Sequence, residues 1–364
     1  MTQPQGALLV GSVNYDDAET TIRTAAALLG GHLKRIPDGE VGKRFHWIMF
    51  QPDVLGQAEG IERVGDDPIP FKAGLDARPL RIADGVDAAS IVLPPLGYAD
   101  AAIESYRVFT RLRDEGAVPD GIRFQVSLPT PVAIVASFFS GDDRAAIAPV
   151  YTAAMKAELE AILDAIPHED LAVQWDVANE MGIIERAAIH GAPMQAWWDG
   201  DPFDGLVARL VELVDAVPAD VEAGVHLCYG DIAEHHFLEP ADTSVLVRFA
   251  NAVIAGASRP PSWLHLPVPI ERDDAAYFSA LSELTPVAEL YLGLVHREDG
   301  VEGAQRRIAA ASAVVPRFGV ATECGIGRAP EGTTEGILRT HAEVAAGWRV
   351  ERRPRLHRET RFPA

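Results

Sequence analysis

The sequence predicts an α/β fold, an eight-stranded (β/α)8 TIM barrel, and two observations carry that prediction. Eight short apolar segments are spread along the chain. Most intervals between them are long enough for a helix, the alternation that parallel βα units require. At 364 residues the chain exceeds the ~150 of a typical domain, but one barrel can absorb roughly 250 to over 400.

In order, the segments are residues 7–12 (ALLVGS), 32–36 (HLKRI), 123–128 (RFQVSL), 171–176 (LAVQWD), 222–228 (EAGVHLC), 263–268 (WLHLPV), 289–295 (ELYLGLV) and 318–323 (FGVATE). They are short, carry β-branched or aromatic residues, and end in Gly, Pro or polar residues, as strands do. The first expected helix, 16–29, opens on two aspartates, which suit the positive end of a helix dipole. Over 149–166, Tyr151, Met155, Leu159 and Ile162 fall near one face at a 3.6-residue period. Residues 203–217, 244–257, 274–283, 300–315 and 336–350 have the same character.

The interval 41–121 is longer than the others. It is rich in Pro and Asp near 65–70 and contains a rival strand at 90–93 and a helix at 100–115. The expectation is one barrel over 1–364, with an elaborated loop or small subdomain between strands 2 and 3 covering its mouth.

Composition narrows the function. Lys and Arg number 32 against 53 Asp and Glu, a net charge of −21. Such a surface repels phosphate backbones and anionic membranes, so neither nucleic acid nor a membrane is an expected partner. The start lacks the basic-then-apolar pattern of a secretory signal, and a cytoplasmic location is expected. GxGxxG after the first strand, GxxxxGK[ST], HExxH and GxSxG are all absent, which removes the commonest dinucleotide, phosphate-loop, zincin and nucleophile-elbow readings.

In a barrel, functional groups sit where strands end. His226 and Cys228 in GVHLCYGD lie at i and i+2 and so share a face of their strand. The only other cysteine, Cys324, ends the last segment. One His and two thiolates form a ligand set suited to zinc, whose catalytic sites commonly keep a fourth position exchangeable. Buried apolar cysteines beside a hydrogen-bonded core His, or a Cys228–Cys324 disulfide, are the alternatives.

Other candidates cluster at the same rim. Asp38, Glu40 and Arg44 follow the second segment, with Gly39 allowing close backbone approach. Gln174 and Asp176 share a face at the end of the fourth. Ser12, Asn14, Tyr229, Asp231, His265, His296, Glu323 and Arg328 complete the polar set, with Asn179 and Glu180 opening the next helix. Thr130 before Pro131 has the pattern of a helix cap, and Trp197–Trp198 of loop anchoring or ligand stacking.

These residues together resemble the catalytic C-terminal barrel of cobalamin-independent methionine synthase and, more widely, the zinc-dependent thiol alkyltransferases. LLVGS resembles the family's opening strand, IPDGE its strand-end Gly-Glu motif and LPTPVAI its Thr-Pro stretch. VQWDVANE resembles the Gln-x-Asp-Glu-Pro-Ala motif, HLCYGD the His-x-Cys-Tyr zinc motif and TECGIGR the closing Asp-Cys-Gly motif. The resemblance runs nearly the whole chain, and the ordered His-x-Cys and Cys-Gly pair is its most specific part.

The resemblance implies zinc on His226, Cys228 and Cys324, with His265, Glu271, or a substrate or water molecule in the fourth position. Glu40 and Asp176 would hold the amino group of a thiol substrate, Ser12 would lie near its carboxylate, and Asp38, Arg44, Gln174 and Tyr229 would surround it. The reaction would transfer a methyl or other alkyl group to a zinc-activated thiol, with Asp176, His265 and His296 as catalytic groups and folate or a corrinoid protein as possible donor. A monomer or homodimer is expected. The chain departs from the family at Val177, Ala178 and Asn179, and at His296, which stands where methionine synthase has an aspartate. Hydrolysis or lyase chemistry through metal-bound water, a non-catalytic metal-binding barrel, and a porphyrinogen-decarboxylase-like reaction are the rival readings.

Overall fold

A computed structural model describes residues 3–189, 192–230 and 236–348. Seven strands form one parallel sheet in sequence order: β1 (Arg35–Pro37), β2 (Arg123–Pro129), β3 (Leu171–Val177), β4 (Glu222–Leu227), β5 (Trp263–Pro267), β6 (Glu289–Gly293) and β7 (Gly319–Val320). β3 is buried along its whole length, which parallel strands covered on both faces require.

The sheet is open and curled, a half-barrel, and the expected closure into eight strands does not occur. Residues 7–12, expected as the first strand, make only isolated bridges, such as Ala7 to Val320 and Ser12 to Gly39. The physical reason lies in the edges. β1 ends after three residues at Pro37, and the backbone then turns away through positive φ at Gly39 (+85°) and Glu40 (+53°). β7 is only two residues long. Neither edge offers a ladder long enough to organise a strand in the gap. The segment is nonetheless buried: Leu8 and Val10 pack with Ala172, Trp263, Tyr291 and Ala321 inside the curl.

Helices follow the expected order: Ala18–Leu29, Tyr98–Asp114, Asp143–Ala165, Pro202–Asp215, Ser244–Gly256, Gly300–Ser312 and Thr334–Val344. Asp17 caps the first by accepting from Thr20 N at 2.7 Å. The helix expected from Pro149 starts six residues earlier and holds that proline inside it. The helix expected over 274–283 splits into Ala275–Phe278 and a 3-10 turn, Ser279–Glu283. Residues 349 and 350 of the last expected helix lie outside the described residues, as does Asp231.

Between β1 and β2 the chain forms a kinked 3-10 segment, Gly42–Phe50, and an antiparallel ribbon of Ile61–Arg63 with Leu80–Ile82. The rival strand at 90–93 is absent; its place is taken by a 3-10 turn, Ala88–Ser90, and an unpaired stretch. At the N-terminal ends of the strands, the buried Arg35 guanidinium bonds Glu222 at 2.9 Å and Glu289 at 3.0 Å, and lies 4.0 Å from the Trp263 ring.

Candidate metal centre

β4 carries His226 near its C-terminal end, in register with Asp176 of β3 and His265 of β5. Two residues on, Cys228 extends the ladder through its N–H to Val177 O at 2.8 Å, so its thiol faces the same way as His226. Cys324 reaches the spot from the loop after β7, where Thr322 Oγ1 donates to the Cys324 carbonyl at 2.6 Å.

The ligand atoms of His226, Cys228 and Cys324 lie within 4.8 Å of one another, the one such cluster among the described residues. Cys324 Sγ is 3.8 Å from Cys228 Sγ and 3.8 Å from His226 Nε2. A tetrahedral ion with bonds of about 2.3 Å to sulfur and about 2.0 Å to nitrogen would separate such atoms by roughly 3.5–3.8 Å. The donor set therefore fits a metal ion, and neither cysteine is in a disulfide.

His265 lies beside the cluster rather than in it. Its Nδ1 is 2.7 Å from His226 Nδ1, and its Nε2 bonds Thr322 O at 2.9 Å. Burial holds the His265 ring neutral, pushing its pKa down to about 3. Glu271 lines the neighbouring cleft rather than the pocket of the three ligands.

That pocket also admits Ser12, Glu40, Trp47, Asp176 and Arg328. Burial pushes the Glu40 carboxyl up to about 7, with Arg44 opposing the shift and Asp38 adding to it. Burial also lifts Asp176 well above the usual carboxylate range, and the nearby Glu40 lifts it further. Two desolvated carboxyls face one space, and each disfavours ionisation of the other. Asp38 behaves differently: burial opposes its charge, but the Arg44 ion pair holds its pKa low. Gln174 links the layer by donating to Val10 O at 2.5 Å and to Asp176 Oδ1 at 2.9 Å. Ser12 Oγ accepts from Gly327 N at 3.3 Å. A Cβ on Gly325 would stand 2.2 Å from that hydroxyl, so the loop behind Cys324 needs glycine there.

Other candidates face elsewhere. Tyr229 donates its hydroxyl to Glu185, away from the ligand cluster. His296 borders the adjoining cleft with His236, Glu323 and Arg328; its Nε2 bonds Val268 O at 2.9 Å and its Nδ1 is 3.7 Å from Glu323. Burial, then Arg307, lowers the His296 pKa to about 4. Asn14 Nδ2 donates to Ala329 O at 2.5 Å. Asn179 donates to Ala133 O, and Thr130 both caps the helix at Pro131 and donates to Glu180 at 2.5 Å. Trp197 and Trp198 pack edge to face at 4.9 Å, with Arg209 over Trp198.

Sequence reasoning passed over Trp47. It lines the ligand pocket beside Asp176 and has φ +53°, ψ −117°, a conformation costly for a bulky residue. Glu40 also sits at positive φ, so two strained residues flank one pocket. A lone tryptophan in a long insertion carries no sequence signal that would single it out.

No protein-family model matches the chain, and no curated protein does. Solved structures do. A B12-independent methionine synthase from Shewanella sp. W3-18-1 superposes with a TM-score of 0.61 at 13% identity, covering 93% of this chain and 96% of that one. A putative vitamin-B12 independent methionine synthase from Listeria monocytogenes gives 0.54 at 18% identity, covering 94% and 98%. The chain shares their fold. The match is distant and agrees with the family resemblance read from the motifs.

Proposed function

We propose that the protein is an enzyme that transfers a methyl or other alkyl group to a thiol, with zinc held by His226, Cys228 and Cys324. The observation that carries this reading is the fit of those three donors to a tetrahedral ion in the same pocket as two buried carboxyls. Bound there, zinc would lower the pKa of a thiol and favour the nucleophilic thiolate at neutral pH.

The remaining work falls to the chain. Glu40 and Asp176 would receive the ammonium group of the acceptor; a cation between them would offset the burial that raises both pKa values. Ser12 would lie near the acceptor's carboxylate, and Arg44 would keep Asp38 ionised. Orienting the acceptor converts a collision into a positioned attack. The thiolate sulfur forms the new S–C bond as the carbon–leaving-atom bond breaks, its electron pair departing with the leaving group. His296 lines the adjoining cleft as a neutral ring whose Nε2–H is given to Val268 O, so the proton that group takes up would come from water there, balancing the one the thiol releases. The loop 41–121 would cover the mouth of one functional unit spanning 1–364, Trp47 being its contribution to the pocket.

The test is a panel of thiol acceptors with methyl-folate and methyl-corrinoid donors, followed by mass of the alkylated thiol. Product that requires zinc and both cysteines is expected. Zinc-dependent hydrolysis without thiol alkylation would instead favour metal-bound water as the nucleophile.

A further inference from the structure

His265 neighbours His226 on the adjacent strand but lies outside the ligand cluster. Its two ring nitrogens are both engaged, Nε2 by Thr322 O at 2.9 Å and Nδ1 by His226 Nδ1 at 2.7 Å. These contacts dictate where the protons sit. A carbonyl oxygen only accepts, so His265 Nε2 carries the hydrogen. In a neutral ring its Nδ1 is then an acceptor, which requires His226 Nδ1 to donate. His226 Nε2 is left with a lone pair, and that is the atom 3.8 Å from Cys324 Sγ.

We infer that His265 is a positioning residue that fixes His226 in the Nδ1–H tautomer, leaving a centre of three protein ligands whose fourth position belongs to an exogenous thiol or water. The inference rests on the metal-site reading above. The chain of contacts closes on itself: the Thr322 carbonyl that holds His265 belongs to the loop that presents Cys324, and Thr322 Oγ1 also bonds the Cys324 carbonyl at 2.6 Å. One set of hydrogen bonds thus ties the His226 ring to the backbone that delivers the third ligand. Orienting partners of ligating histidines are commonly carboxylates or backbone carbonyls, and their loss weakens metal binding about 10–100-fold. Here an imidazole relays the orientation from a carbonyl.

Glutamine is the discriminating substitution. Its amide oxygen accepts where His265 Nδ1 does, and its amide NH2 donates where Nε2 does, whereas leucine offers neither. Zinc affinity of wild type, His265→Gln and His265→Leu is measured by competition with a chromophoric chelator. The expected result is a loss of at least tenfold in His265→Leu and near-wild-type affinity in His265→Gln. Equal affinity in all three proteins, or an equal loss in both variants, overturns the inference; the second outcome makes His265 a ligand in its own right. Nitrogen-15 spectra of the histidine rings in metal-free wild type supply a readout independent of variant folding. An Nδ1–H tautomer at His226 and an Nε2–H tautomer at His265 are expected, and an Nε2–H tautomer at His226 contradicts the relay. Zinc binding without alkyl transfer would sink the proposed function and leave this relay intact.

Discussion

The thiols of Cys228 and Cys324 lie 3.8 Å apart although 96 residues separate them in the chain. The parallel sheet makes this possible: β4 and β7 present their C-terminal ends to one rim, and Thr322 and Gly325 shape the loop that carries the second thiol inward. The relationship gives the centre two of its three donors, and the following predictions depend on what surrounds it.

Asp176→Asn removes one of the two carboxyls facing the ligand pocket while keeping the hydrogen bond from Gln174. Charge-assisted hydrogen bonds contribute about 1.5–3 kcal/mol, so affinity for an amine-bearing thiol should fall roughly 10–100-fold. Affinity for the same thiol lacking its amine should barely change. Calorimetric titration of both ligands checks this, and equal losses for the two would remove Asp176 from ammonium recognition.

Glu180 offers a pH test away from the ligand cluster. Burial raises its pKa from 4.5 to about 7, so the folded state holds a proton that the unfolded chain has released. Its favourable contribution is complete below pH 4.5 and is lost as pH rises to about 7. Glu180→Gln should therefore gain stability over wild type between pH 5 and pH 8, by up to about 3 kcal/mol. Denaturant melts at the two pH values are the measurement. Parallel curves for the two proteins would show that Glu180 does not titrate in this range.

Arg35 tests the opposite end of the sheet. Replacing it with Met leaves the Glu222 and Glu289 carboxylates without their shared guanidinium. The cost of breaking such a buried pair is about 3–5 kcal/mol; Lys34, still 2.7 Å from Glu289, keeps the expected loss near about 3 kcal/mol. Zinc affinity should stay at the wild-type level. A weakened metal site with unchanged stability would reverse the assignment.

Much of the centre was legible in the sequence because strand alternation is a local rule. His226 and Cys228 two apart must share a face, and Cys324 closes a segment expected to reach the same rim. Closure of the sheet was not legible, because it depends on the length of ladder the edges offer. Pro37 and the turn at Gly39–Glu40 shorten one edge, and β7 is shorter than its apolar segment. The hydrogen bonding of His265 was hidden for a related reason: its type and position suit a ligand, and only its distances to His226 and Thr322 show that both ring nitrogens are engaged. Trp47 owes its place to a backbone kink that no periodicity announces.

The proposed reaction depends on a zinc site formed by His226, Cys228 and Cys324. Elemental analysis of protein purified without added zinc, beside Cys228→Ser and Cys324→Ser, tests it most directly. About one zinc per chain is expected in the wild type, with loss of the metal in both variants. A wild-type protein that stays metal-free after reconstitution under reducing conditions would contradict it.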